Sequence, residues 1–372
     1  VAASWDRLFK TDEQNHYLNS MRKEGKRMKK IVYFMFILLL LLVACSKDDK
    51  AGSHEQKDTN RDNKEESANG ENMYPLTGLY TDDPVDNRVI GVMVNNHNQA
   101  RPQSGLSEAD IVFEILAEAK ITRFLALFQS EIPETVGPVR SAREYYFKLA
   151  EGYDAIYVYH GAANFVNKMI EDEGISFLNG SAYDNDGKLF KRDPSRKAPH
   201  NSYALLNAAY EVAESKGYST KTEQDALPFL SEADVEAIEG DPAQHVEIAY
   251  DPAEIVAYDY DADAGNYKRF SNDEQTVELD DETEITAENV FIVETYHEVI
   301  DDEGRRLVDM ESGGNAYLLQ KGKVQQVEWA NENGKIIPVK DGQPIGFVPG
   351  KTWINVVPTN PSMEQAVTIS NE

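Results

Sequence analysis

One cysteine, Cys45, is present in 372 residues, so the chain cannot be stapled by disulfides or folded around a cysteine-built metal site. What folds must rest on hydrophobic cores and backbone pairing. Where that cysteine sits narrows the possibilities further. Lys29-Lys30 precede an apolar run from Ile31 to Val43, and Leu42-Val43-Ala44-Cys45 has the form of a bacterial lipobox. A spanning helix needs about 20 apolar residues, and this run is shorter. A basic stretch, a short apolar stretch and a small residue before the cut mark a secretory signal. The sequence therefore predicts lipidation at Cys45, with acyl chains of the palmitate class. These would hold the mature protein on the extracytoplasmic face of the cell membrane. One acyl chain binds a bilayer marginally, and two bind it stably. An ordinary N-terminal membrane anchor is the competing reading, and Ala44-Cys45 in register with the end of the run favours lipidation.

Met28-Lys29-Lys30 is a natural start for such a signal. Residues 1–27 are then an upstream extension, with Met21 an alternative start, and 28–44 the signal peptide. Residues 45–73 are almost all polar, charged or small and show no apolar period, so a disordered tether is expected there. Removing the eight basic and four acidic residues before Cys45 takes the net charge from −28 to about −32. So acidic a chain argues against nucleic acid as a partner, and against lying flat on anionic lipid.

Order is expected from Tyr74-Pro75-Leu76 onward. About 290 residues remain, more than a single core usually serves. The composition shifts between Lys216 and Glu254. The expectation is an α/β (or α+β) N-terminal domain over 74–225, a smaller, mostly antiparallel β C-terminal domain over 226–362, and a tail over 363–372. In the first, Val89 to Val94, Ile111 to Leu116, Thr122 to Gln129 and Ala155 to Tyr159 read as strands. Ile111, Phe113 and Ile115 alternate, which favours a strand over a helix starting at Ser107. Ser141 to Glu151, Ala162 to Glu173 and Ser202 to Lys216 read as helices, with Ser141 capping the first and Gly217 ending the last. In the second, Ile255 to Tyr260, Tyr267 to Phe270, Val290 to Glu298, Val308 to Glu311, Ala316 to Gln320, Lys323 to Trp329 and Trp353 to Val357 read as strands.

Familiar catalytic patterns fail. Asp259, Asp261 and Asp263 resemble the start of a calcium loop, but its sixth and twelfth positions hold Ala264 and Phe270. Gly350-Lys351-Thr352 lacks the earlier glycine of a phosphate-binding loop. Ser141 lacks the glycines of a nucleophile elbow. His97, His160 and His200 have no short metal-ligand spacing. Neither a metal set nor a cofactor motif emerges.

What stands out is a set of arginines in turn-like stretches of an acidic chain: Arg101, Arg123, Arg140, Arg143 and Arg192. Arg140 and Arg143 enter a predicted helix N-terminus, where unpaired N–H groups and the dipole suit anions. Their guanidinium forks suit phosphate or carboxylate. The bland alternative is that they pair with Glu108, Asp110, Glu114 and Glu118.

The same stretches carry a family resemblance. Pro75-Leu76-Thr77-Gly78, Ala100 to Asp110, Ile121-Thr122-Arg123, Val136 to Arg143, Ala198-Pro199-His200-Asn201, Tyr258-Asp259-Tyr260, Tyr267-Lys268-Arg269-Phe270 and Pro349-Gly350-Lys351-Thr352-Trp353-Ile354 resemble the YerB-like lipoproteins of Gram-positive bacteria. The resemblance runs from about Tyr74 to Pro358. It implies a two-domain exported lipoprotein, and no reaction or catalytic residue comes with it.

Three functional expectations follow. The first is a non-enzymatic envelope module. It would bind a cell-wall polymer or a penicillin-binding-type membrane protein through the five arginines. The second is an enzyme on an anionic wall glycopolymer, with Glu114 or Asp110 as acid or base, His160 or His200 as proton shuttle, and Asn201 beside them. The third is a solute-binding lipoprotein, which the unlike halves disfavour.

Overall fold

The computed structural model describes residues 70–371. The extension, the signal, Cys45 and the tether as far as residue 69 lie outside the described residues. Asn72–Met73 already pair with Tyr80–Thr81, slightly before the expected onset of order.

The first half supplies strands β1 (Ile90–Asn95), β2 (Ile111–Leu116), β3 (Thr122–Phe128), β4 (Ile156–Tyr159) and β5 (Phe177–Asn179). It also supplies the short β6 (Phe190–Arg192) and β7 (Ser202–Leu205), and helices α1 (Glu144–Gly152), α2 (Asn164–Asp172) and α3 (Ala209–Ser215). The second half is mostly antiparallel. It comprises β8 (His245–Asp251), β9 (Glu254–Asp261), β10 (Asn266–Ser271), β11 (Asn289–Thr295), β12 (Gly314–Gln320), β13 (Lys323–Glu332), β14 (Lys335–Lys340), β15 (Thr352–Pro358) and β16 (Val367–Ser370).

One sheet of twelve strands runs through both halves, in the order β14-β13-β12-β11-β15-β2-β3-β1-β4-β5 with two-residue pieces at Gln343–Pro344 and Asp241–Pro242. β15 is the seam. It lies parallel to β11, with Asn289 opposite Thr352, and parallel to β2, with Thr352 opposite Ile111. β1 and β4 are also parallel, so their C-terminal ends share one edge of the sheet.

Strands β1, β2 and β3 are buried at every position because both faces of the sheet are covered. On one face Phe113, Leu125, Phe291 and Ile354 pack with Tyr145, Tyr146 and Leu149 of α1 and Val166 and Ile170 of α2. On the other, Val92, Phe124, Val290 and Trp353 pack with α3 and with a second sheet built on β8, β9, β10 and β16. That second sheet has only one covered side. Its strands accordingly alternate between buried and part-exposed residues.

Three local expectations change. Ser202 to Lys216 is not one helix. Ser202–Leu205 pairs with β6 and with Thr135–Val136; a 3-10 turn over Leu206–Ala208 then leads into α-helix from Ala209, ending before Gly217 at φ +81°. Ser141 does not cap α1, because Ala142 is drawn into extended pairing with Gly161 and the helix starts at Glu144 behind Arg143. Within 363–371, expected as tail, a short helix Met363–Ala366 leads into β16, which pairs with β8. Among the described residues no helix is long and apolar enough to cross a membrane.

Candidate anion-binding face

The C-terminal ends of β1 and β4 bring three histidines and Arg140 together. Crevices beyond the carboxyl ends of parallel strands are favoured ligand positions in α/β sheets, because the loops there leave opposite faces. The Arg140 N–H donates to Met93 O at 2.9 Å, and the His160 N–H donates to Arg140 O at 3.0 Å. Arg140 is thus stitched between the two strand ends. His97 follows β1 directly, and its ring centroid lies 4.6 Å from that of His200. The Asn95 amide donates to His200 Nδ1 at 2.9 Å, while Asn95 Oδ1 accepts from the His97 N–H at 3.1 Å.

His160 closes the other side. Its Nδ1 lies 2.7 Å from Ser202 Oγ, and Arg192 Nη2 approaches its Nε2 at 3.4 Å. Arg192 donates on to Asn201 Oδ1 at 2.8 Å. All three imidazoles are held below their ordinary values, first by burial and then by cations. Those cations are Arg101 and Arg140 for His97, and Arg192 and Arg140 for His160. For His200 they are a protonated His97, Arg140 and Arg196. Arg140 recurs in all three. Burial, then the charge of Arg123, pulls Arg140 itself down to about 10.

Four of the five arginines already face a carboxylate. Arg101 pairs with Glu254 of β9, Arg192 with Asp184, and Arg123 and Arg143 both with Glu118. Arg140 alone makes no side-chain hydrogen bond or ion pair among the described residues, and its Nε is buried without an acceptor.

The carboxylates expected as acid or base sit elsewhere. Glu114 is fully buried and accepts from Arg269, Trp353, Thr122 and Asn96. Asp110 is fully buried too, accepting from the Ser130 hydroxyl and the N–H groups of Gln129 and Ser130. Burial raises Asp110 to about 6 despite those donors. Neither reaches the histidines. His160, His200 and Asn201 do reach the face, as do Asn95 and Arg196, which the sequence reading did not single out. Arg196 clasps Ala100 O and Pro102 O at 2.6 and 2.7 Å. Its advance signal was its place two residues before Ala198-Pro199-His200-Asn201. Cavities of about 510 and 340 Å³ lie elsewhere, around Gln224 and Lys335 and around Tyr317 and Met363.

The continuous sheet, its seam strand and this cationic face are accompanied by matches to two family descriptions. Residues 76–219 match the N-terminal domain, and residues 246–354 the C-terminal domain, of "Protein of unknown function (DUF3048)". The chain belongs to this two-domain, YerB-like family, whose function is unknown. It is 47% identical over 288 residues to a Bacillus subtilis (strain 168) protein named as a lipoprotein, YerB, covering 76% of this chain and 86% of that one. The crystal structure of YerB protein from Bacillus subtilis superposes with a TM-score of 0.74 at 44% identity, covering 80% of this chain and 99% of the other.

Proposed function

We propose that this protein is a lipid-anchored module on the extracytoplasmic face of the membrane, tethered through Cys45, that binds an anionic envelope ligand at the Arg140 face. The name of the Bacillus subtilis relative and the lipobox support the anchor. One observation carries the binding reading: a guanidinium without a carboxylate, ringed by three depressed histidines at the C-terminal ends of β1 and β4. An anion placed there would relieve the burial of Arg140 and accept from its free donors. The ligand class is a carboxylate or phosphate of a wall polymer, or an acidic segment of a membrane-bound wall-synthesis protein.

Glu114 and Asp110, the acids that the enzymatic alternative required, are fully buried and engaged away from the histidines. The test is retention of purified wall material by the soluble part of the chain, with Arg140→Ala compared against the native sequence. The variant should lose retention at low salt while keeping its melting temperature. Equal retention at low salt would refute the reading.

A further inference from the structure

We propose that Glu118 is a built-in occupant of a carboxylate site formed by Arg123 and Arg143, and that a carboxylate group from outside the chain takes its place. The proposal rests on reading this face as anion-binding, and it assigns the ligand class more narrowly.

The two arginines are anchored to backbone carbonyls of the scaffold, whereas Glu118 comes from a separate loop. Arg123 stands on the central strand β3 and donates to Ser141 O at 3.1 Å; Arg143 is the residue before α1 and donates to Ala142 O. Their side chains are only 6% and 10% exposed. Glu118, by contrast, projects from the tight loop between β2 and β3, where Ala119 takes φ +52° and the Glu118 carbonyl accepts from the Ile121 N–H at 3.2 Å. Its side chain is 25% exposed, more than either arginine, although its Oε1 is buried against Arg143.

Charge and hydrogen bonding are both left incomplete. Two guanidinium groups share one carboxylate, Oε2 facing Arg123 and Oε1 facing Arg143. Arg143 Nε is buried and has no acceptor among the described residues. Tyr157, fully buried and under the field of both arginines, has an unpartnered hydroxyl. A buried polar group with no partner is costly and calls for an explanation. A site shaped to exchange its carboxylate supplies one. The two-guanidinium geometry suits the planar, two-oxygen end of an amino acid or short peptide.

The second half of the chain holds the loop. Arg306 donates from Nε to Ala117 O at 3.1 Å and from Nη2 to Ala119 O at 2.5 Å. The backbone on either side of Glu118 is therefore fixed, and exchange requires only rotation of its side chain.

The test is titration of the soluble part of the chain with N-acetyl-alanyl-alanine, and with inorganic phosphate as comparator. Both are followed by calorimetry. A tethered competitor acts at millimolar effective concentration, so Glu118→Gln should tighten the peptide by about tenfold. Adding Arg143→Gln should abolish that gain. Glu118→Asp, one methylene shorter, should give a smaller gain. Unchanged peptide affinity in folded Glu118→Gln and Glu118→Asp overturns the proposal. A gain for phosphate alone overturns the ligand class. Failure of both variants to fold marks Glu118 as a structural counter-ion and overturns it as well. The ratio does not depend on retention of wall material, so this proposal and the Arg140 reading can fall separately.

Discussion

Arg269 Nη2 lies 3.0 and 2.9 Å from the two carboxylate oxygens of Glu114, and neither side chain is more than 1% exposed. Glu114 comes from β2 and Arg269 from β10, so the ion pair joins the central sheet to the second one. The guanidinium carbon also stands 4.7 Å from the Trp353 ring and 5.2 Å from that of Phe124. Burial is the largest single influence and works against the charge on Arg269, but Glu114 and Tyr258 together outweigh it and hold the group above its ordinary value.

Breaking this pair from one side strands the other charge in the interior. Glu114→Gln or Arg269→Met should each cost about 3–5 kcal/mol in denaturant unfolding. Replacing both with apolar residues, as Glu114→Leu with Arg269→Met, should recover most of that loss. A double variant no more stable than either single one would show that the pair contributes beyond its own charge balance.

Arg140 should behave in the opposite way. It has no carboxylate to abandon and burial disfavours its charge, so Arg140→Ala should leave the unfolding free energy unchanged or raise it. Anion binding, read by the same titrations at low and at moderate salt, should nevertheless fall. A large stability loss would place Arg140 among the structural residues.

The histidines should make stability rise with pH, against an opposing contribution from Asp110, whose value burial raises to about 6. Burial pulls His297 down to about 4, and it lowers His97, His160 and His200 as well. Between the folded value of His297 and the unfolded value of 6.5, the unfolded chain binds the extra protons. The stabilising contribution is therefore complete above about 6.5 and is lost as pH falls toward about 4. Thermal melts at closely spaced pH values check this, and His297→Gln should flatten the slope.

Gly152 at the end of α1 meets the turn at Gly334 backbone to backbone, and a Cβ at either position would overlap the other glycine. Neither backbone can swing away as a side chain does. Gly152→Ala should cost about 1–3 kcal/mol, measured as a lowered denaturation midpoint with the slope unchanged. An unaltered midpoint would show that the two turns can separate freely.

Much of the sheet was legible because its local signals agree. The alternation of Ile111, Phe113 and Ile115 and the matching run from Thr122 place β2 and β3 correctly. Ser202 to Lys216 misled because its helix-forming composition is overridden at Ser202–Leu205 by pairing with β6, a tertiary contact invisible in a window. Arg269 was overlooked as a core residue because a charged position inside a strand reads as solvent-facing. Its shared parity with Tyr267 and Ser271, both buried, was the available sign. The arginines were found, and Glu118 was named among their possible partners, but Glu254 and Asp184 were not. Glu254 lies 153 positions from Arg101, and only the fold brings them together.

The seam at Thr352–Pro358 makes this a molecule that closes last-in. The strands on either side of it, Ile111–Leu116 and Asn289–Thr295, are made long before it, and until it arrives each carries an open edge that invites pairing with a wrong neighbour. The first of them waits roughly 240 residues for its partner, a non-local closure of the slow kind. A chain cut short before Thr352 would carry every arginine and histidine of the candidate face and still lack the strand that knits its central sheet.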